Sequence, residues 1–285
     1  MEDKAVLFNF DAFLADPRGL ILVFLLALPG RLLAISAHEM GHAWVAYKCG
    51  DPTARNEGRI TLNPMKHLDL MGTLMMVFVG FGWARPVPVN PRNYKHYRRD
   101  DLLVSLAGIT MNLILFVTGC VVMYALVGVA LSRAAANTSN DAYFLEQYGG
   151  QLCYFMKGVD YTYLPVSSVL TYAPYLSDYL IAPVFGEVAK YLYEMLMYFT
   201  ITNLILAVFN LIPVPPLDGY HVLNDLILRK RNLFVSPRVS QVFMVILFVL
   251  MLSGYTDFIF DWVLQTALSG VGRVAGAVFS AVGIL

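Results

Sequence analysis

The chain has 285 residues, is 58% hydrophobic and only 14% charged, and its 20 basic residues balance 20 acidic ones. Soluble domains carry about 25% charged residues, so this composition, with a mean hydropathy of +0.61, points to a polytopic membrane protein. Zero net charge excludes a basic nucleic-acid binder, and the apolar content excludes a disordered chain.

The N-terminal stretch is acidic and aromatic, without a basic n-region or a small-residue cleavage site, and reads as carrying no removable leader. A spanning helix needs about 20 mostly apolar residues. The first candidate runs from Leu20 to about Tyr47, interrupted by Pro29-Gly30, Arg31 and polar residues at 38–42. The second, Leu70 to Ala84, is uncharged for only 15 residues and fits a re-entrant or thin segment. The third, Leu102 to Ser132, is uncharged for 31 residues. The fourth runs from Met195 to Leu217 and ends in Pro213, Pro215 and Pro216; the fifth is Val239 to Thr256. The tail 258–285 is apolar but carries Asp261 and Arg273, which suits a sixth span or an interfacial helix. The expected fold is an all-α polytopic membrane protein, one membrane-embedded domain over 1–285. It has about five to six transmembrane helices and a small re-entrant or β-strand segment after the first.

Basic residues mark the cytoplasmic side. Loop 48–101 holds nine and loop 213–238 holds four, whereas 132–194 holds three. Loops 48–101 and 213–238 are therefore expected in the cytoplasm, with 70–84 returning to its own side. Segment 132–194 is expected outside, where its eight tyrosines between Tyr143 and Tyr179 favour the membrane–water boundary. Cys49, Cys120 and Cys153 are too scattered for a disulfide framework or a metal site.

Within the apolar first helix sits Ala37-His38-Glu39-Met40-Gly41-His42. Ionisable groups at membrane depth are costly and mark function. His38 and His42 are four residues apart, so both imidazoles leave one helix face about one turn apart. That suits two ligands of one tetrahedral zinc. Glu39 can reach a metal-bound water without occupying the metal. The plainer alternative is two interfacial histidines and a snorkelling glutamate.

A zinc hydrolase needs a third protein ligand and an open fourth position. His67, His96 and His221 lie in polar loops, and Glu187 and Glu194 flank the fourth span. Asp218 stands out, at the end of Asn210-Leu-Ile-Pro-Val-Pro-Pro-Leu-Asp-Gly219. Prolines break the helix there, and unwound backbone at membrane depth is tolerated where it lines a cavity. The expected orientation puts the ends of the first and fourth spans on one side, so His38, His42 and Asp218 can meet. The alternative for Asp218 is a helix N-cap.

These motifs, HEMGH and Asn210…Leu217-Asp218-Gly219, resemble the site-2 protease family of intramembrane zinc metalloproteases. The likeness extends to a short branch without PDZ or CBS domains, through Gly50-Asp-Pro-Thr-Ala, Gly58-Arg-Ile-Thr-Leu-Asn-Pro-Met-Lys-His67, Phe81-Gly-Trp-Ala-Arg-Pro-Val-Pro-Val-Asn90-Pro and Ser105-Leu-Ala-Gly-Ile-Thr-Met-Asn112. It covers about 20–118 and 195–255 as the catalytic core and leaves 133–190 as an extracytoplasmic interfacial insert.

The resemblance implies one zinc per chain, bound by His38, His42 and Asp218, with Glu39 as the catalytic base. Asn210 matches the family's asparagine near the active site and is expected to steady the substrate backbone or the oxyanion. Asn112 matches the asparagine of a Gly-Pro-x-x-Asn pattern, with Ile109 in place of proline, and is grouped with the substrate-binding residues. Arg59, Ile60, Thr61 and Asn63 belong to a segment, Gly58–Asn63, expected to offer an edge strand to an extended substrate. The implied activity is hydrolysis of peptide bonds within or near transmembrane segments, as in regulated intramembrane proteolysis. The implied partners are transmembrane substrates pre-trimmed by another protease, and membrane lipids; no nucleic acid is expected. The implied place is the cell membrane, with the active site toward the cytoplasm. The competing readings are a membrane metal-ion transporter and a catalytically inactive scaffold of the same fold.

Overall fold

The computed structural model describes residues 17–79, 82–137 and 177–226, with scattered helical positions between 242 and 266. The fifth span, the apolar tail and most of the 133–190 insert lie outside the described residues. What is described is mostly helical, and three helices are long and apolar enough to cross a membrane.

Helix α1, Pro17–Cys49, has 33 residues. At 1.5 Å per residue this is about 50 Å, more than the roughly 30 Å of a hydrocarbon core. Small residues are fully buried along its length, Ala27, Ala34, Ala43 and Ala46, while Ile21, Leu22 and Leu25 are exposed. Small residues let helix backbones approach closely, and exposed apolar side chains suit lipid. Gly50 stops α1 at φ 110°, and the Asp51 amide bonds back to the Ala46 carbonyl at 2.9 Å.

Beyond α1 the chain is tied down by side chains. Asp51 is fully buried. It accepts from the Asn90 amide at 2.6 Å, from Asn93 Nδ2 at 2.8 Å and from the Thr53 amide and hydroxyl. Burial would push its carboxyl up, but these four donors outweigh it and hold the group below the usual carboxylate range.

The segment 58–63, expected as an edge strand, forms no strand. Arg59 is buried and donates from Nη2 to the Arg85 carbonyl at 2.6 Å, and buried His67 holds the Thr61 carbonyl at 2.8 Å through Nε2. Asn63 caps the turn Pro64–Lys66 by accepting from the Met65 amide. The local bonds close this segment into a loop. Among the described residues the β-type pairing is an isolated antiparallel bridge, Leu68 with Ala84.

Helix α2, Leu70–Val79, is only 10 residues long. Asp69 caps it by accepting from the Gly72 amide at 2.8 Å. The chain comes back beside its own start, where the Arg85 amide meets the His67 carbonyl at 2.7 Å. Glycine permits the approach: a β-carbon on Gly82 would fall 2.7 Å from Met76 Cβ.

Helix α3 is Tyr97–Asn137 and helix α4 is Glu187–Leu211. Between α4 and α5, Asp218–Leu226, lies a proline-rich turn with a cis Pro215–Pro216 bond. The chain divides into two compact units, 1–115 with 202–261, and 116–201 with 262–285. The second unit packs Phe116, Cys120, Met123 and Tyr193. There Gly119 leaves room for Thr200, and Ser177 donates to Glu194 at 2.7 Å. The first unit holds the candidate site.

Candidate metal centre

Helix α1 carries His38 and His42 on one face, and Gly41 between them lets that face reach α3. A β-carbon at Gly41 would lie 3.0 Å from the Ala107 carbonyl oxygen and 3.3 Å from Met111 Cβ. A small apolar cluster of Ala46, Cys49, Tyr94 and Val104 closes the same junction. Gly219 does the equivalent work at the other ligand. Its missing β-carbon would lie 2.6 Å from the Ile212 carbonyl oxygen, so α5 starts tight against the turn after α4.

These packings bring three ligand atoms together. His38 Nε2 and His42 Nε2 are 3.1 Å apart, and each lies 3.2 Å from Asp218 Oδ2. Among the described residues, His38, His42 and Asp218 form the group able to hold a metal ion. Asp218 Oδ2 is a buried atom not taken up by any hydrogen-bond donor outside this group.

The far side of each imidazole decides what its near side can do. His42 Nδ1 sits 2.7 Å from the Val104 carbonyl, which only accepts, so Nδ1 carries the proton. His38 Nδ1 sits 2.6 Å from Asn112 Oδ1. Asn112 Nδ2 points instead at the Ala34 carbonyl, 3.3 Å, and Asn203 Oδ1, 2.8 Å. That assigns the oxygen end to His38, whose Nδ1 therefore donates as well. Both Nε2 atoms are left with a lone pair aimed at a carboxylate oxygen. Three electron-rich atoms at this separation repel unless a cation lies among them. Two imidazole nitrogens and one carboxylate oxygen, with a fourth position open, are the donor set of a catalytic zinc site.

Glu39 follows His38 on α1 but stays outside the ligand group. Its Oε2 accepts from the Val87 amide at 2.9 Å.

The remaining sequence candidates disperse. Asn112 is fully buried with both amide ends engaged. Through its Oδ1 it meets His38, inside the packing of the helices. Asn210 donates to the Leu206 carbonyl of its own helix at 2.9 Å. Arg59 and the Thr61 carbonyl serve the loop described above; Ile60 and Thr61 are half-buried and Asn63 is exposed. Glu194 is engaged by Ser177, Glu187 is exposed, and His96 and His221 are exposed. His67 is fully buried; burial first, and the charge of Arg59, hold its imidazole below its ordinary value. It acts as a neutral strut rather than a ligand.

Sequence reasoning missed three features, Asn203, Gly108 and the Val87 amide. Asn203 had a legible signal: it lies seven residues before Asn210, two helical turns, on one face of an apolar helix. Gly108 lies inside the motif Ser105–Asn112, but its role depends on what faces it. The Val87 contact is made by backbone and leaves no mark in the sequence.

Comparison with known proteins bears on this arrangement. The model of Peptidase family M50 matches residues 24–254. A Bacillus subtilis protein named "Putative zinc metalloprotease YwhC" is 34% identical over 250 residues, covering 86% of this chain and 88% of that one. "Putative zinc metalloprotease Rip2" of Mycolicibacterium smegmatis is 33% identical over 106 residues, 35% of this chain and 40% of that protein. Its Mycobacterium tuberculosis namesake is 36% identical over 99 residues, 33% of this chain and 38% of that protein. No solved structure matches the chain.

Proposed function

The chain belongs to Peptidase family M50, and on that premise we propose that it is an intramembrane zinc metalloprotease of the site-2 type. It hydrolyses peptide bonds within or near the transmembrane segments of other membrane proteins. The observation that carries this is the convergence of His38 Nε2, His42 Nε2 and Asp218 Oδ2 within 3.2 Å, with both Nδ1 protons turned away.

His38, His42 and Asp218 hold one zinc ion, whose chemistry is to polarise a carbonyl and lower the pKa of water to about 7. Glu39 is the general base: Oε2 is steadied by the Val87 amide, and Oε1 takes a proton from water and returns it to the leaving amine. Asn210, whose amide has a second hydrogen free of its bond to Leu206, is the candidate donor to the oxyanion. Ile60, Thr61 and Asn63 line the path of a locally extended substrate. Those substrates are single-span membrane proteins already trimmed by another protease, and cleavage belongs to regulated intramembrane proteolysis.

The wider frame is part of the same proposal. The chain has five to six spans and lies in the cell membrane with the site toward the cytoplasm. Segment 70–84 is re-entrant, a reading supported by its short α2 and by the Leu68–Ala84 bridge, which pairs its end with the residues just before its start.

The test is zinc content and cleavage of a transmembrane reporter by purified protein, wild type against Glu39→Gln. Both should bind one zinc. Cleavage should fall by about 10²–10⁴-fold in the variant. A wild type that takes up no zinc, or a variant that cuts like wild type, would overturn the proposal.

A further inference from the structure

Asn203 lies in the middle of an apolar helix and is fully buried. A polar side chain in that setting is costly unless it is used. Its Oδ1 lies 2.8 Å from Asn112 Nδ2, and Asn112 Oδ1 lies 2.6 Å from His38 Nδ1. A three-residue line thus runs from α4 through α3 to a proposed zinc ligand on α1.

The line has a direction. A carboxamide offers oxygen at one end and N–H at the other. If Asn112 turned over, its N–H would face His38 Nδ1. The imidazole would then have to move its proton to Nε2, the atom facing Asp218, and a protonated Nε2 has no lone pair for a metal. Two acceptors oppose that turn. The Ala34 carbonyl is the more distant, at 3.3 Å, and as a helix carbonyl it also serves the amide of residue 38. The Asn203 oxygen is the nearer one.

We infer that Asn203 is a positioning residue for the metal: through Asn112 it fixes which end of the carboxamide meets His38 and so keeps His38 Nε2 free to bind. His42 needs no such device, because the Val104 carbonyl opposite its Nδ1 accepts in any orientation. Second-sphere partners of this kind orient a ligand histidine and select its tautomer. The inference rests on the zinc reading proposed above.

The experiment is a competitive zinc titration of the full-length, detergent-purified, chelator-stripped protein against a chromogenic chelator, with thermal unfolding of the same stripped samples. Asn203→Leu keeps the bulk and removes the acceptor, and should weaken zinc binding by roughly 10–100-fold. Asn203→Asp keeps an oxygen toward Asn112 Nδ2 and should bind zinc close to wild type. If the leucine variant does not fold, Asn203→Ala replaces it, with the same expected loss. Leucine or alanine variants that bind zinc like wild type overturn the inference. So does an equal loss in the leucine and aspartate variants that tracks a drop in unfolding temperature, because that is packing alone. No zinc uptake by wild type overturns both this inference and the zinc reading. Uptake by wild type with no difference among variants overturns this inference only.

Discussion

Gly108 and His38 face each other across the α1–α3 junction with no side chain between them. A β-carbon on Gly108 would lie 2.5 Å from His38 Cε1 and 2.6 Å from His38 Nε2, and closer still to His42 Nε2. The space that glycine leaves is where the Nε2 ends of both imidazoles sit.

Gly108→Ala is therefore expected to cost zinc without costing the helix. Alanine favours a helix interior over glycine by about 1 kcal/mol, so α3 itself should gain. The imidazoles must be displaced, and zinc affinity should fall by at least about 10-fold. Zinc bound per folded molecule checks this; unchanged affinity would mean that the histidines yield freely.

The choice of third ligand can be tested by a pair of variants. Asp218→Asn should weaken zinc binding by about 10²-fold or more, because it removes a charged ligand whose Oδ2 lies 3.2 Å from both imidazoles. Glu194→Gln should leave zinc content unchanged, since Glu194 is held by Ser177. Zinc loss in the second variant rather than the first would reverse the assignment.

Val87→Pro removes one hydrogen and little else. Val87 already stands between Pro86 and Pro88 in a segment without helix, which suits the fixed φ of proline. The bond lost is the amide to Glu39 Oε2, 2.9 Å. A hydrogen bond to a charged group contributes about 1.5–3 kcal/mol, so cleavage should fall by roughly 10–100-fold while zinc content stays at wild type. Loss of both together would show that residue 87 supports the fold rather than the base.

Asp51→Asn should lower the thermal midpoint by a cost of about 1–3 kcal/mol, because amide donors would face donors in a buried site. The sign of its pH dependence follows from the depressed carboxyl. An unfolded aspartate titrates near about 3.9. The folded value is lower, so the stabilisation is complete above about pH 4 and is lost as pH falls through the folded value. The gap between wild type and variant should be full at neutral pH and shrink below about pH 4. A gap that widens in acid would contradict the assignment.

Much of the fold was legible because helix length and apolar runs are local properties. The first, third and fourth expected spans coincide with α1, α3 and α4, although α4 begins earlier, at Glu187, and ends at Leu211, before the prolines. The loop 58–63 misled because alternation of polar and apolar residues is also what a loop pinned by Arg59 and His67 displays. Asn112 was legible through its motif, and packing shows that it meets His38.

Sequence alone determined the pair His38 and His42, their shared face and the adjacent Glu39. The helical repeat makes residues four apart neighbours whatever else the chain does. It also singled out Asp218, just after Pro213, Pro215 and Pro216, among the carboxylates and histidines near the span ends. Which imidazole nitrogen carries each proton, and what holds those protons in place, were decided by tertiary structure. Those outcomes depend on how closely α1, α3 and the α4–α5 turn approach through Gly41, Gly108 and Gly219. Such contacts join residues far apart in the chain, and no local periodicity records them.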